Sequence, residues 1–264
     1  VNRQAQAAVM FLLGAALLHA GGTDLYLRYV KAGLQPLLLA SGVVLIAAAL
    51  ATVWYERKRH RSRTHTHAHP EGHPDSHSEG HPGGHSEDHS EAHAHPEPRI
   101  SWLLLLPLLA LILIAPPALG SYSALRSGTA LQKPYGLRAL PGGSGPVPLS
   151  VVDYASRAAY GQGRSLGARP VRVTGFLALD GSGAPYLVRM ALNCCAADAQ
   201  PVKIALTGQL PPVLRPDAWL EVTGTYTPRL SRDPVNNGPI PYLKVTSARP
   251  VPVPHDPYDE TWNN

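Results

Sequence analysis

Apolar and polar positions follow three patterns along this chain. Apolar runs are unbroken near the N-terminus and around residue 110, nearly absent between those runs, and spaced every second residue in the C-terminal third. Residues 5–20, AQAAVMFLLGAALLHA, form a nearly uncharged run just after Arg3. That is short for a membrane span, which needs about 20 residues to cross roughly 30 Å of hydrocarbon. Gly21 and Gly22 extend it, and Leu18 and Ala20 make a poor small-x-small cleavage site, so a retained helix is expected rather than a cleaved signal peptide. Residues 34–55, LQPLLLASGVVLIAAALATVWY, carry no charge and end in Trp54 and Tyr55, which suit the headgroup interface. Residues 100–119 form a third uncharged run; Pro107 should kink it, and Pro116 with Pro117 should end it.

From Arg169 the period becomes two. Strands are expected over residues 169–179, 186–193, 201–207, 218–227 and 242–248, with DGSG at 180–183 as a turn. Gly175 and Gly224 fall inside the first and fourth strands, where glycine marks a bulge or tight bend. Five short, bent strands fit an OB-like barrel, although a small sandwich gives much the same pattern. Before them, Ser150-Val-Val-Asp153 fits a capping box opening a helix to about Tyr160, ended by Gly161 and Gly163. Residues 121–149, with PGGSGP at 141–146, read as a linker. The expected organisation is two membrane helices (1–56), a basic and His-rich disordered loop (57–99), a third membrane helix (100–120), the linker (121–149) and a β-rich domain (150–264). In fold class this is an α-helical membrane anchor of about three spans followed by a C-terminal all-β domain.

Composition sharpens that picture in two places. Hydrophobic residues make up 44% of the 264, an average that conceals the unbroken runs. The net charge of +5 is concentrated at Arg57, Lys58, Arg59, Arg61 and Arg63, directly after the second run. That position is a topology signal rather than a nucleic-acid footprint, and no nucleic-acid partner is expected. It places the loop after residue 56 in the cytoplasm and the β-rich domain outside, with membrane lipid around the helices.

Within that loop, histidine recurs every fourth residue at His65, His69, His73, His77, His81, His85, His89 and His93, with His67 and His95 interleaved. Neutral imidazole is the commonest protein ligand for zinc and similar ions. Pro70, Pro74 and Pro82, with Gly72, Gly80, Gly83 and Gly84, oppose a regular helix. A flexible ribbon must lose entropy to wrap an ion, which implies modest affinity and exchangeable Zn2+ or other divalent transition metals. The plainer alternative is a polar low-complexity tract with incidental metal affinity.

The second chemical feature is NCCAADAQP at 193–201. Cys194 and Cys195 are the chain's two cysteines, and as neighbours they cannot close a loop. If the segment is extended, one faces outward and the other packs inside. If it turns, both thiols and Asp198 can converge on a soft ion, with His255 as a distant further ligand. A strained vicinal disulfide, or an Asp that merely fixes a turn, are the remaining readings.

Several local features resemble the YcgQ-like bacterial family, small membrane proteins described as permease subunits of unassigned biochemistry. They are the Gly-rich, Tyr-containing connection between the first two runs (Gly21, Gly22, Tyr26), the His-rich interspan loop, and Arg189 followed by Cys-Cys-Ala-Ala-Asp at 194–198. The segment Trp219-Leu-Glu-Val-Thr-Gly-Thr and the pair Pro257-Tyr258 complete the likeness. The family motif, a cysteine with Asp three residues later, falls on Cys195 and Asp198, with Cys194 at a preceding Cys-or-His position. The resemblance implies work beside a multi-span permease, in some relatives associated with zinc supply. The His loop here is longer and more repetitive than the family's.

No Asp, Glu, Lys or Arg lies inside the apolar runs, so the spans alone provide no ion path and transport would need a partner. The leading expectation is a membrane-anchored accessory subunit of a metal-ion transport system, with the loop as ion buffer. The alternative is a structural envelope protein whose outer domain binds a protein or polymer. A thiol enzyme lacks CxxC spacing and a sequence-local base, and no phosphate loop, GxSxG or HExxH is present, so no enzymatic activity is expected.

Overall fold

The computed structural model describes residues 3–63, a few positions between 103 and 114, and 117–259. The ten histidines from His65 to His95 lie outside the described residues, and so does most of the third apolar run. The described chain divides into two compact units.

The first unit is built on two apolar helices, α1 (Arg3–Gly21) and α2 (Gln35–Arg63). Both include stretches long and apolar enough to cross a membrane. Their flanks are open: Phe11 and Leu13 on α1 and Leu37, Val43, Val44, Leu50 and Trp54 on α2 are exposed. The helices approach closely at small residues, since a Cβ on Gly14 would lie 2.7 Å from Ile46 Cγ1 and 2.8 Å from Gly42 O. α2 runs on through the basic cluster, where Lys58 stacks over Trp54 and Arg59 over Tyr55 one turn back. A cation and an aromatic ring four residues apart share one helix face.

The second unit joins residues 19–38 to the chain from 116 onward. Its centre is a closed barrel of five strands: β2 (Val171–Leu179), β3 (Pro185–Ala191), β4 (Gln200–Gly208), β5 (Trp219–Arg232) and β6 (Pro239–Pro250). β1 (Val147–Leu149) and β7 (Tyr258–Asp259) extend the sheet at its two ends. The circuit runs β2–β5–β6–β4–β3 and closes through β2–β3; every pairing within it is antiparallel except β4–β6. Period two appears where one strand face is buried, as at Val171 and Val173, and becomes a continuous apolar run from Phe176 to Ala178, where both faces are covered.

The glycines inside the strands have physical reasons. A Cβ on Gly224 would meet Lys244 O at 2.5 Å, and the β5–β6 register shifts there; on Gly175 it would meet Val188 O at 2.6 Å. These are the bends that let five strands close.

α3 (Ser121–Arg126) precedes β1, and α4 (Val151–Ala159) follows it. Ser150 caps α4, its hydroxyl accepting from Asp153 N–H at 3.0 Å. α4 packs against all five barrel strands. Its Val151, Tyr154, Ala155 and Ala158 complete the core with Leu187, Ile204, Val222 and Leu243. A second core, on the outside of β2 and β3, brings Ala124 of α3 together with Phe176, Met190, Trp219 and Tyr258.

Residues 121–149, expected to be a bare linker, therefore carry a helix, a strand and buried Ala124, Thr129 and Leu131. Their glycines and prolines made the sequence look flexible, but apolar side chains placed between them still bury.

Candidate metal centre in the turn between β3 and β4

β3 ends at Ala191, and the chain turns before β4 through a single 3-10 turn, Ala196–Asp198. The turn is held by the carboxylate it contains. Asp198 Oδ1 accepts from Asn193 N–H at 3.1 Å and Oδ2 from Cys194 N–H at 2.9 Å, while Asp198 N–H donates to Cys195 O at 3.1 Å. The short Asp side chain reaches back to backbone donors just upstream, as such residues do in turns.

That closure excludes an extended segment and fits the reading in which Asp198 fixes a turn. The chain turns, and ligand atoms of Cys194, Cys195 and Asp198 lie within 4.8 Å of one another; among the described residues this is the one such group of three. Cys194 is exposed, Cys195 half-buried, and both thiols are free, so there is no vicinal disulfide here. Tetrahedral sulfur ligands at about 2.3 Å from zinc lie about 3.8 Å apart, so the three atoms need to close by only about an ångström to share an ion. Two soft thiols and one carboxylate form a donor set suited to zinc and its neighbours.

The electrostatics couple the thiol to the acid. The Cys194 thiol is pushed up to about 11, first by its hydrogen bond to Asp198 and then by one to Cys195. Slight burial alone would raise Asp198, but bonds from the Cys194 thiol and from the N–H groups of Cys194, Asn193 and Cys195 hold it below its usual range. The proton thus stays on sulfur, which donates it in a hydrogen bond to the carboxylate. A divalent ion can take its place, because a metal deprotonates a coordinating thiol.

His255 does not join this cluster. Its Nε2 lies 2.7 Å from Asp24 Oδ2, with both side chains exposed. They sit on a cleft of about 910 Å3 whose lining includes His19, Arg28, Asp217 and Trp219.

Sequence reasoning missed the chain between the first two helices. Residues 29–31 lie alongside the cysteines: Ala196 N–H donates to Tyr29 O at 2.7 Å, Lys31 N–H donates to Cys194 O at 3.1 Å, and Val30 pairs antiparallel with Cys195. Nearby, the Tyr258 hydroxyl donates to Arg28 O at 2.9 Å and accepts from Leu119 N–H at 3.3 Å. Arg189 Nη2 donates to Asp256 O and Tyr258 O, and its guanidinium stacks 4.9 Å from the Trp219 ring centre. Arg189, Trp219 and Tyr258, which carried part of the family resemblance, thus meet in space. Apart from Gly21, Gly22 and Tyr26, the interspan chain carried no sequence signal, because its bonds to the cysteine turn are main chain to main chain.

The fold and turn define a class: a small closed β-barrel carrying a thiol-carboxylate cluster, joined to a pair of apolar helices compatible with a membrane anchor. Residues 166–259, which span the barrel, match the family described as the DUF1980 C-terminal domain. No curated protein and no solved structure matches the chain.

Proposed function

We propose that this protein is a membrane-anchored accessory subunit of a divalent metal-ion transport system, with zinc as its cargo. The convergence of Cys194, Cys195 and Asp198 in one exposed turn carries this reading. In it, the turn captures an ion outside the membrane, a multi-span permease conducts it, and the imidazoles from His65 to His95 buffer it in the cytoplasm. The resemblance to YcgQ-like proteins supports a permease partner. The strand circuit β2–β5–β6–β4–β3 supports an OB-like barrel, whose role here is to present the turn and dock the partner rather than to bind nucleic acid.

Placement of residues 19–38 in the same unit as the barrel supports the topology. The chain between the first two spans and the barrel then share the outer side, and the loop after the basic end of α2 takes the inner side.

The test is a Co2+ titration of the full-length protein in detergent. A thiolate-to-metal charge-transfer band is expected, weakened about tenfold or more by Cys194→Ser, Cys195→Ser or Asp198→Asn. Deleting residues 64–96 should lower the total zinc bound while leaving the band in place. Cellular zinc uptake with the permease present should fall in the turn variants. Absence of the band, with equal zinc bound by every variant, refutes the reading.

A further inference from the structure

We infer that interspan residues 29–31 are positioning residues for the thiol turn, so that ion capture there and docking of this segment on the barrel favour each other. The inference rests on reading Cys194, Cys195 and Asp198 as ion ligands.

The backbone of the turn is held from two sides. From within, Asp198 binds the N–H groups of Asn193 and Cys194. From without, Tyr29 O takes the N–H of Ala196, and Lys31 N–H binds the carbonyl of Cys194. The outer bonds therefore grip the peptide groups on either side of Cys195, the residue Val30 pairs with. The direction of each Cα–Cβ bond, and hence the reach of each sulfur, follows from that backbone.

An ion changes the two supports unequally. It draws on the lone pairs of Asp198, so the internal support is shared between N–H donors and a cation. The external support uses main-chain groups for which no ion competes, and it is what keeps both thiols converged once the carboxylate is engaged. Coupling of this kind is reciprocal: the factor by which docking strengthens ion binding is the factor by which the ion strengthens docking. Because the docked segment connects α1 to α2, occupancy of the outer site becomes a signal to the chain between the membrane helices.

Lys31 allows a clean test. Its φ of −56° and ψ of 140° suit proline, so Lys31→Pro deletes one N–H donor without demanding a new backbone shape. Lys31→Ala keeps the donor and loses only the side chain. In full-length protein in detergent, Co2+ affinity read from the thiolate band should fall about three- to tenfold in Lys31→Pro and stay at the wild-type value in Lys31→Ala.

The Tyr258 hydroxyl bond to Arg28 O remains in the variant, so loss is expected to be partial. Independently, the Lys31 and Ala196 amides of the wild type should exchange hydrogen more slowly with Co2+ than without it, and Cys195→Ser should remove that difference. Equal Co2+ affinity in Lys31→Pro and wild type, or exchange at Lys31 indifferent to the ion, overturns the coupling while the ion site stands. Absence of a band in the wild type overturns both readings. If Lys31→Pro does not fold, the exchange measurement on the wild type decides alone.

Discussion

Asp198 holds a turn together and holds a proton in place with the same two oxygens. Its carboxylate stays ionised below the usual range, and the cost appears on its neighbour, whose thiol is displaced from the ordinary 9.0 to about 11. Folding thus favours the protonated thiol, and the thiolate needed for alkylation emerges only as pH rises through the displaced value. Two pKa units imply a thiolate fraction at pH 8 on the order of a hundredfold below that of a free cysteine. Iodoacetamide labelling of Cys194, followed by residue-resolved mass spectrometry across pH 7 to 12, is expected to begin late. In Asp198→Asn the acceptor charge is gone, and the onset should move down toward the ordinary thiol range. An onset that does not move would show that the carboxylate is not what retains the proton.

Between elements, one ion pair does similar work for the barrel. Lys203 of β4 and Asp233, at the end of the β5–β6 hairpin, are both buried and meet at 2.8 Å. Lys203 also donates to Ser127 O, while Asp233 accepts from the N–H groups of Thr129 and Val235, so the pair fastens the hairpin tip and the chain after α3 to the barrel wall. Removing one member strands the other without its counter-charge, at a cost of about 3–5 kcal/mol. Chemical denaturation of Lys203→Met should show a loss of that size, and a loss below about 1 kcal/mol would mean that water reaches the site.

None of this latch was legible beforehand, because a lysine in an alternating strand reads as solvent-facing. What could be read was local. All five barrel strands were visible from their period and bounding turns, and α4 from Ser150. The far arms of β5 and β6 were not: the expected strands stop at residue 227 and start at 242, and the missed stretches include Pro228 and Pro239. Beyond Thr225 β5 pairs only with β6, in a register that slips between Tyr226 and Leu230, and proline is tolerated where a strand has a free edge. Of the candidate site, Cys194, Cys195 and Asp198 were legible because their spacing lies within one turn. The segment that braces them was not, since backbone pairing between distant residues leaves no mark on side-chain identity.

At the scale of the molecule, residues 19–38 belong with the barrel although α1 and α2 flank them. In the proposed topology that segment and the barrel share the outer side of the bilayer. In sealed vesicles, and in a background lacking Cys194 and Cys195, Thr23→Cys and Val235→Cys are expected to react alike with an impermeant maleimide. His77→Cys should react only after permeabilisation. Labelling of Thr23→Cys and Val235→Cys from opposite sides would contradict the topology.

The hydroxyl of Tyr258 binds the carbonyl of Arg28 across 230 positions of sequence, and it also receives the amide of Leu119. The ribosome therefore makes Arg28 and all five barrel strands before the clasp that ties them. Until Tyr258 emerges, the segment between the two apolar helices has to wait untied, and a chain stopped anywhere between Arg28 and Tyr258 would lack this clasp.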